Sequence, residues 1–200
     1  MPQFSGRSFT RFSVVNKVPM TNQSAPQAPR RQRLLWSWSR DLFIALGLSA
    51  FFILFLYQPV RVEGTSMLPG LQDQERIFIN KFVYKLEPIE RGDIVVFHYP
   101  FDPSQSYIKR VIGTSGDRVR ILDGQVYVNG RPIKEPYVPG EYFDYRSMVQ
   151  TTVPPHCYFL LGDHRSLSKD SRDFGAVDQS YIYGKAVFVY WPVDKLGVLR

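Results

Sequence analysis

The feature that most restricts this chain is an uncharged apolar run. Residues 42–57 read Leu-Phe-Ile-Ala-Leu-Gly-Leu-Ser-Ala-Phe-Phe-Ile-Leu-Phe-Leu-Tyr, sixteen residues without Asp, Glu, Lys or Arg. As a helix rising ~1.5 Å per residue, the run reaches roughly 24 Å, slightly under a hydrocarbon core of ~30 Å. It has no polar face, which a helix packed on a water-exposed core would show. Trp36, Trp38 and Tyr57 stand where interfacial anchors belong, and Arg40 is long enough to snorkel. A single transmembrane anchor is therefore predicted over residues 36–60. A buried core helix fits this pattern less well. So does a cleaved signal peptide, because the leader is long and Gln58-Pro59-Val60-Arg61 offers no small-x-small cleavage pair.

The charge is distributed around that run. The net charge is +7, yet residues 1–41 hold seven basic residues and one acid, so +6 of it lies before the apolar segment. Residues 42–200 carry 18 basic and 17 acidic residues. This asymmetry reads as a topology signal, with the N-terminus cytoplasmic and residues 61–200 on the far side of the membrane. It does not read as a nucleic-acid face, since no basic patch interleaved with aromatics occurs in the downstream part. Residues 1–35 are rich in Ser, Gln, Pro and Arg and are expected to form a disordered basic tail. Cys157 is the single cysteine, and His98, His156 and His164 show no ligand spacing. Neither a metal nor another cofactor is expected.

Beyond the anchor the pattern changes to strands. Apolar-rich runs at 76–84, 93–99, 107–112, 118–122, 125–129, 131–133, 158–161 and 185–191 alternate with Pro- and Gly-containing turns. Asp123-Gly124 and Asn129-Gly130 are two-residue hairpin turns, because both dipeptides tolerate positive φ. The predicted fold class is mostly β. It comprises an antiparallel domain over 61–200 with a small β extension, behind one N-terminal transmembrane helix.

Two residues in this frame invite chemistry. Ser66 lies in Gly64-Thr65-Ser66-Met67-Leu68-Pro69, nine residues past the apolar run, which keeps it near the bilayer surface. Lys109 lies in Tyr107-Ile108-Lys109-Arg110. A serine hydroxyl needs a base, and lysine serves as one only when neutral. Burial among apolar groups favours that form. On a strand, Lys109 shares a face with Tyr107 and Val111, whereas Arg110 points away. Taken singly, each residue is an ordinary structural serine or a surface lysine. A third segment, Gly162-Asp163-His164-Arg165-Ser166-Leu167-Ser168-Lys169-Asp170-Ser171-Arg172-Asp173-Phe174-Gly175, follows a strand directly. So many polar groups are costly to bury unless they pair with one another, as Asp170 with Arg172 and Asp163 with Arg165 would.

Together the segments Gly64-x-Ser66-Met67-x-Pro69, Arg91-Gly92-Asp93-Ile94-Val95, Tyr107-x-Lys109-Arg110 and Gly162-Asp163-x-Arg165-x-x-Ser168-x-Asp170-Ser171-Arg172-x-x-Gly175 resemble those of type I signal peptidases. These are membrane-bound serine endopeptidases that remove signal peptides from exported preproteins. The resemblance spans roughly residues 36–195. It implies Ser66 as nucleophile, Lys109 as general base, Ser168 as a hydrogen-bond partner of the lysine, and Asp170 with Arg172 as a supporting ion pair. It also implies the Ser66 N–H as part of an oxyanion hole, and Met67 and Tyr107 as lining of a shallow cleft for small side chains at the first and third positions before the cut. Signal peptides of exported preproteins, membrane lipid and the export translocon are the implied partners. The catalytic domain would face the periplasm, the exterior or a thylakoid lumen. Two departures stand out. Gly64 replaces a serine that supplies an oxyanion donor in some members, and His164 stands where the box often carries Asn. That histidine admits a rival in which it activates Ser66.

Overall fold

The computed structural model describes residues 30–199. The chain falls into two compact units divided after Leu46. The expected disordered tail lies, over residues 1–29, outside the described residues. Residues 30–35 are helical instead, as the start of α1 (Arg30–Leu56). Arg, Gln and Leu favour helix, and the last proline of the tail, Pro29, precedes them. In the first unit, Trp36, Trp38, Leu42, Phe43, Ile44 and Leu46 are all exposed, and Arg40 pairs with Asp41 at 3.0 Å. Among the described residues no helix is long and apolar enough to cross a membrane.

The second unit begins within α1 and turns at once into a sheet. The apolar segment was expected to continue as anchor to residue 60, but α1 stops at Leu56 and β1 (Tyr57–Arg61) pairs with β2 (Arg76–Asn80). Pro59 disfavours helix at the residue before it, and five backbone pairings to β2 favour the extended form. Strand β2 ends earlier than its apolar pattern suggests. Asn80 Oδ1 accepts from the N–H groups of Phe82 and Val83 and so starts a one-turn helix, α2 (Val83–Leu86).

The remaining strands are β3 (Ile94–Tyr99), β4 (Asp102–Gly113), β5 (Arg118–Leu122), β6 (Gln125–Val128), β7 (Arg131–Pro132), β8 (Met148–Thr152), β9 (Cys157–Leu161), β10 (Val177–Asp178), β11 (Ile182–Trp191) and β12 (Gly197–Val198). A third short helix, α3 (Ser171–Phe174), precedes β10. The larger sheet runs β1-β2-β11-β3-β4-β9-β10, with β12 added to β11. The smaller runs β7-β6-β5-β8. Every pairing is antiparallel. The mostly β expectation with a small extension therefore holds for the described domain.

Alternation along β3 shows how the larger sheet is covered. Ile94 and Val96 join an apolar cluster with Met67, Leu71, Ile77 and Ile79, while Val95 and Phe97 join one on the opposite face with Val111, Leu160 and Val177. A third cluster ties the two sheets together, with Ile112, Phe159 and Leu161 meeting Val119, Ile121, Val126 and Val128. The turns between β5, β6 and β7 are as expected. Asp123 and Gly124 have φ of 48° and 78°, and Asn129 and Gly130 have φ of 53° and 79°.

Candidate active site

The larger sheet supplies the lysine. In its interior strand β4, Lys109 sits opposite Val95 of β3, and Arg110 opposite Leu161 of β9. Successive residues face opposite ways, so the two cations are parted across the sheet. Lys109 is only 3% exposed. Its Nζ donates to Ser66 Oγ at 2.7 Å and to Ile108 O at 3.0 Å, and it lies 5.3 Å from the ring centre of Tyr107. Burial lowers its pKa to about 8, against the opposing pull of Asp170 and Asp163. A lysine held there is neutral in part at ordinary pH, as a base must be.

The turn between β1 and β2 supplies the serine. Met67 is 2% exposed and packs into the core with Leu71 and Ile77, which fixes the turn from beneath. Met67 was expected to line a shallow cleft, and what the structure shows of its side chain is contact with that core. Gly64 has φ of 93°, and its N–H donates to Asp73 Oδ1 at 2.8 Å. That N–H is engaged with the Asp73 carboxylate, so Gly64 supports the loop. Tyr107 is half-buried and stacks on Tyr99 at 4.8 Å, which leaves it beside the lysine as expected.

The polar segment after β9 closes around both. Asp170 is fully buried and takes Arg172 through both carboxylate oxygens, at 2.8 and 2.7 Å, as the sequence indicates. Asp170 also caps α3, with Asp173 returning the bond to the Asp170 N–H. Burial works to raise the Asp170 pKa. The bond and charge of Arg172, the Gly162 N–H and nearby Ser168 outweigh it and hold the carboxyl below its ordinary value.

Asp163 does not pair with Arg165. It meets Arg110 in a bidentate bridge of 2.9 and 2.7 Å, while Arg165 pairs with Glu135. Nearness in sequence misled here, since the planar fork of each guanidinium is aimed by the strand or loop that carries it. Burial pushes the Asp163 pKa up in spite of Arg110.

Ser168 departs from expectation as well. It is 4% exposed, and its Oγ makes no regular hydrogen bond among the described residues. Lys109 spends its contacts on Ser66 and Ile108 instead. Ser168 Oγ sits where a side chain on Gly162 would start, 2.2 Å from an added Cβ, and Ser66 O is 2.5 Å from the same point. Gly162 therefore allows the chain leaving β9 to pass between the nucleophile turn and Ser168.

The sequence reading missed a loop from the extension, residues 134–147. Tyr137 covers Arg110 at 4.0 Å, Tyr142 meets His164 edge-on at 4.7 Å, and Asp144 accepts from Arg172 at 2.7 Å. No local signal marks these residues, because their partners lie far along the chain. His164 itself turns its Nδ1 to Thr65 O at 3.1 Å, whereas Ser66 Oγ faces Lys109. The arrangement speaks against histidine as the base.

A buried lysine seated on a serine hydroxyl, in an antiparallel β domain, is an arrangement suited to a serine hydrolase. Known proteins agree. The family described as signal peptidase, peptidase S26, matches residues 35–191. A signal peptidase I of Bacillus caldolyticus is 38% identical over 190 residues, covering 89% of this chain and 98% of that protein. A signal peptidase IB of Staphylococcus aureus is 37% identical over 170 residues, covering 76% and 88%. The crystal structure of a signal peptidase I from Enterococcus faecalis is similar over 50% of this chain and 97% of that one, at 32% identity and a TM-score of 0.45. The chain belongs to the signal peptidase family, peptidase S26, a family of serine endopeptidases.

Proposed function

We propose that this protein removes signal peptides from exported preproteins at a membrane surface, with Ser66 as nucleophile and Lys109 as base. The observation that carries this reading is the 2.7 Å contact between Lys109 Nζ and Ser66 Oγ, made by a lysine whose pKa burial lowers to about 8.

Neutral Lys109 takes the Ser66 proton as Oγ bonds to the scissile carbonyl carbon. The carbonyl oxygen becomes an oxyanion and is met by the Ser66 N–H. Collapse breaks the C–N bond, and the Lys109 ammonium returns the proton to the leaving amine. Water then attacks the acyl carbon as Lys109 accepts its proton; the C–Oγ bond breaks, Lys109 returns that proton to Ser66 Oγ, and the signal peptide leaves as a free acid. Asp170 and Arg172 hold the segment that covers the lysine, and Ser168 packs against Gly162. Tyr107 lines the approach to Ser66. The family resemblance supplies the expected preference for small side chains at the first and third positions before the cut.

The apolar part of α1 is the proposed anchor. Its support is the 53% to 71% exposure of Leu42, Phe43, Ile44, Leu46, Leu48, Phe51 and Phe55, together with the basic residues Arg30, Arg31, Arg33 and Arg40. Lipid is then its immediate partner and the translocon a neighbour. The N-terminus is cytoplasmic and residues 61–200 stand on the trans side, in a periplasm, an exterior or a thylakoid lumen.

Preprotein cleavage in detergent by wild type, Ser66→Ala and Lys109→Ala tests the assignment. Both variants are expected to lose at least on the order of 10³ in rate. Full activity in either would remove the dyad.

A further inference from the structure

We propose that His164 is a positioning residue for Ser66, acting on the two peptide groups that flank it. The inference rests on the reading of Ser66 as nucleophile and of its N–H as an oxyanion donor.

The Thr65–Ser66 peptide is planar and trans, so the Thr65 carbonyl and the Ser66 N–H point opposite ways in one plane. His164 Nδ1 lies 3.1 Å from that carbonyl oxygen. A carbonyl only accepts, so Nδ1 carries the hydrogen. The His164 backbone N–H donates to the Ser66 carbonyl, also at 3.1 Å. One residue thus holds the carbonyl before Ser66 and the carbonyl after it. The first bond fixes the plane from which the Ser66 N–H projects. Hydrogen bonding at the oxygen also polarises the amide and makes its N–H a better donor.

The surroundings keep the imidazole in this pose. His164 is 9% exposed, and Tyr142 stands edge-on to it at 4.7 Å. The Tyr142 carbonyl in turn accepts from the Ser166 N–H at 3.4 Å, which ties the loop of the extension to the same segment. A Cβ at Gly162 would lie 2.5 Å from Ser66 O, so that close approach requires glycine beside the clamped carbonyl.

The test compares donors at one point in space. In asparagine, Nδ2 hangs from Cγ as Nδ1 does in histidine. Leucine branches at the same atom with no donor. Full-length enzyme in detergent micelles is assayed on a preprotein, with kcat and KM separated, for His164→Leu and His164→Asn. Leucine is expected to lower kcat about tenfold with KM within about twofold, and asparagine to stay within about threefold of wild type. Should His164→Leu not fold, His164→Gln serves, since its amide sits one bond too far from Cγ and is expected to lose about as much.

Equal losses of about tenfold for asparagine and the non-donor variant would reduce His164 to packing. An unchanged non-donor variant would make the contact idle. A loss on the order of 10³ in all of them would make histidine the base. Ser66→Ala and Lys109→Ala, run alongside, report on the dyad alone, so a failure of that assignment shows up separately.

Discussion

The segment after β9 and the helix α1 break the usual rule of burial in opposite ways. The first buries Asp163, His164, Arg165, Ser168 and Asp170 inside a water-facing domain. The second exposes Trp36, Trp38, Phe43, Leu48 and Phe51 along a helix. Buried charge is tolerable only with close partners, and here the chain supplies them: Arg110 for Asp163, Glu135 for Arg165, Arg172 for Asp170. Exposed apolar surface is relieved only by something that covers it. The charges of the polar segment are met by partners within it and from other parts of the domain, whereas those apolar side chains of α1 stay exposed. Lys109, on β4 beside the polar segment, differs from it, since the carboxylates near it leave its pKa lowered instead of restoring it.

The sharpest way to break this comparison is to remove the buried amine that function needs. Lys109→Met is expected to abolish cleavage and to raise stability by roughly 3 kcal/mol near neutral pH, because a folded-state pKa of about 8 against 10.5 is a penalty on the charged form. The sign follows from proton uptake. Between about pH 8 and 10.5, the unfolded lysine is protonated and the folded one is not, so wild type gains stability as pH rises. The advantage of methionine is therefore full below the window and gone above it. Denaturant unfolding at pH 7 and pH 10.5 measures it, and an equal advantage at both would contradict the cause given.

Asp163→Ala removes the carboxylate that balances the buried Arg110 and is expected to cost about 3–5 kcal/mol, read from the same unfolding curves. A loss under about 1 kcal/mol would place that pair with surface bridges instead. For α1, Leu48→Arg is expected to weaken membrane association by about 2.5–3.5 kcal/mol, seen as protein released from membranes by alkaline extraction. No release would mean that the run does not lie at the centre of a bilayer. The gentlest effect is on rate. With chemistry limiting, kcat is expected to rise about tenfold per unit below pH 8 and to level above it, as neutral Lys109 accumulates. A flat profile from pH 6 to 9 would separate the titration from catalysis.

Much of this was legible along the chain, but only where neighbours in sequence act on each other. The hairpin turns at Asp123-Gly124 and Asn129-Gly130 were readable because a positive φ is a demand on the residue itself. The Asp170–Arg172 bridge held because Asp170 caps α3 and Arg172 stands in its first turn, whereas the same spacing failed for Asp163 and Arg165. Asp163 was matched to the wrong arginine, since Arg110 lies 53 residues away and reaches it only across the β4–β9 pairing. The core contacts of Met67 were hidden for a similar reason. A methionine beside a serine can face a cleft or a core, and the β1–β2 turn decided for the core. The loop 134–147 left no trace, because its residues matter through partners 28 and 30 residues away.

Resemblance to the signal peptidase segments proposed Ser66 and Lys109 as the reacting pair; the sequence by itself determined the apolar run with its basic flank and the β character of the domain. These follow from hydropathy, propensity and chemical type, which each residue carries wherever it goes. Tertiary structure alone decided that α1 ends at Leu56, that Ser66 meets Lys109 across 43 residues, and that the lysine is dry enough to give up its proton. A pKa and a hydrogen bond depend on what surrounds a group, and those surroundings exist only once distant strands have paired.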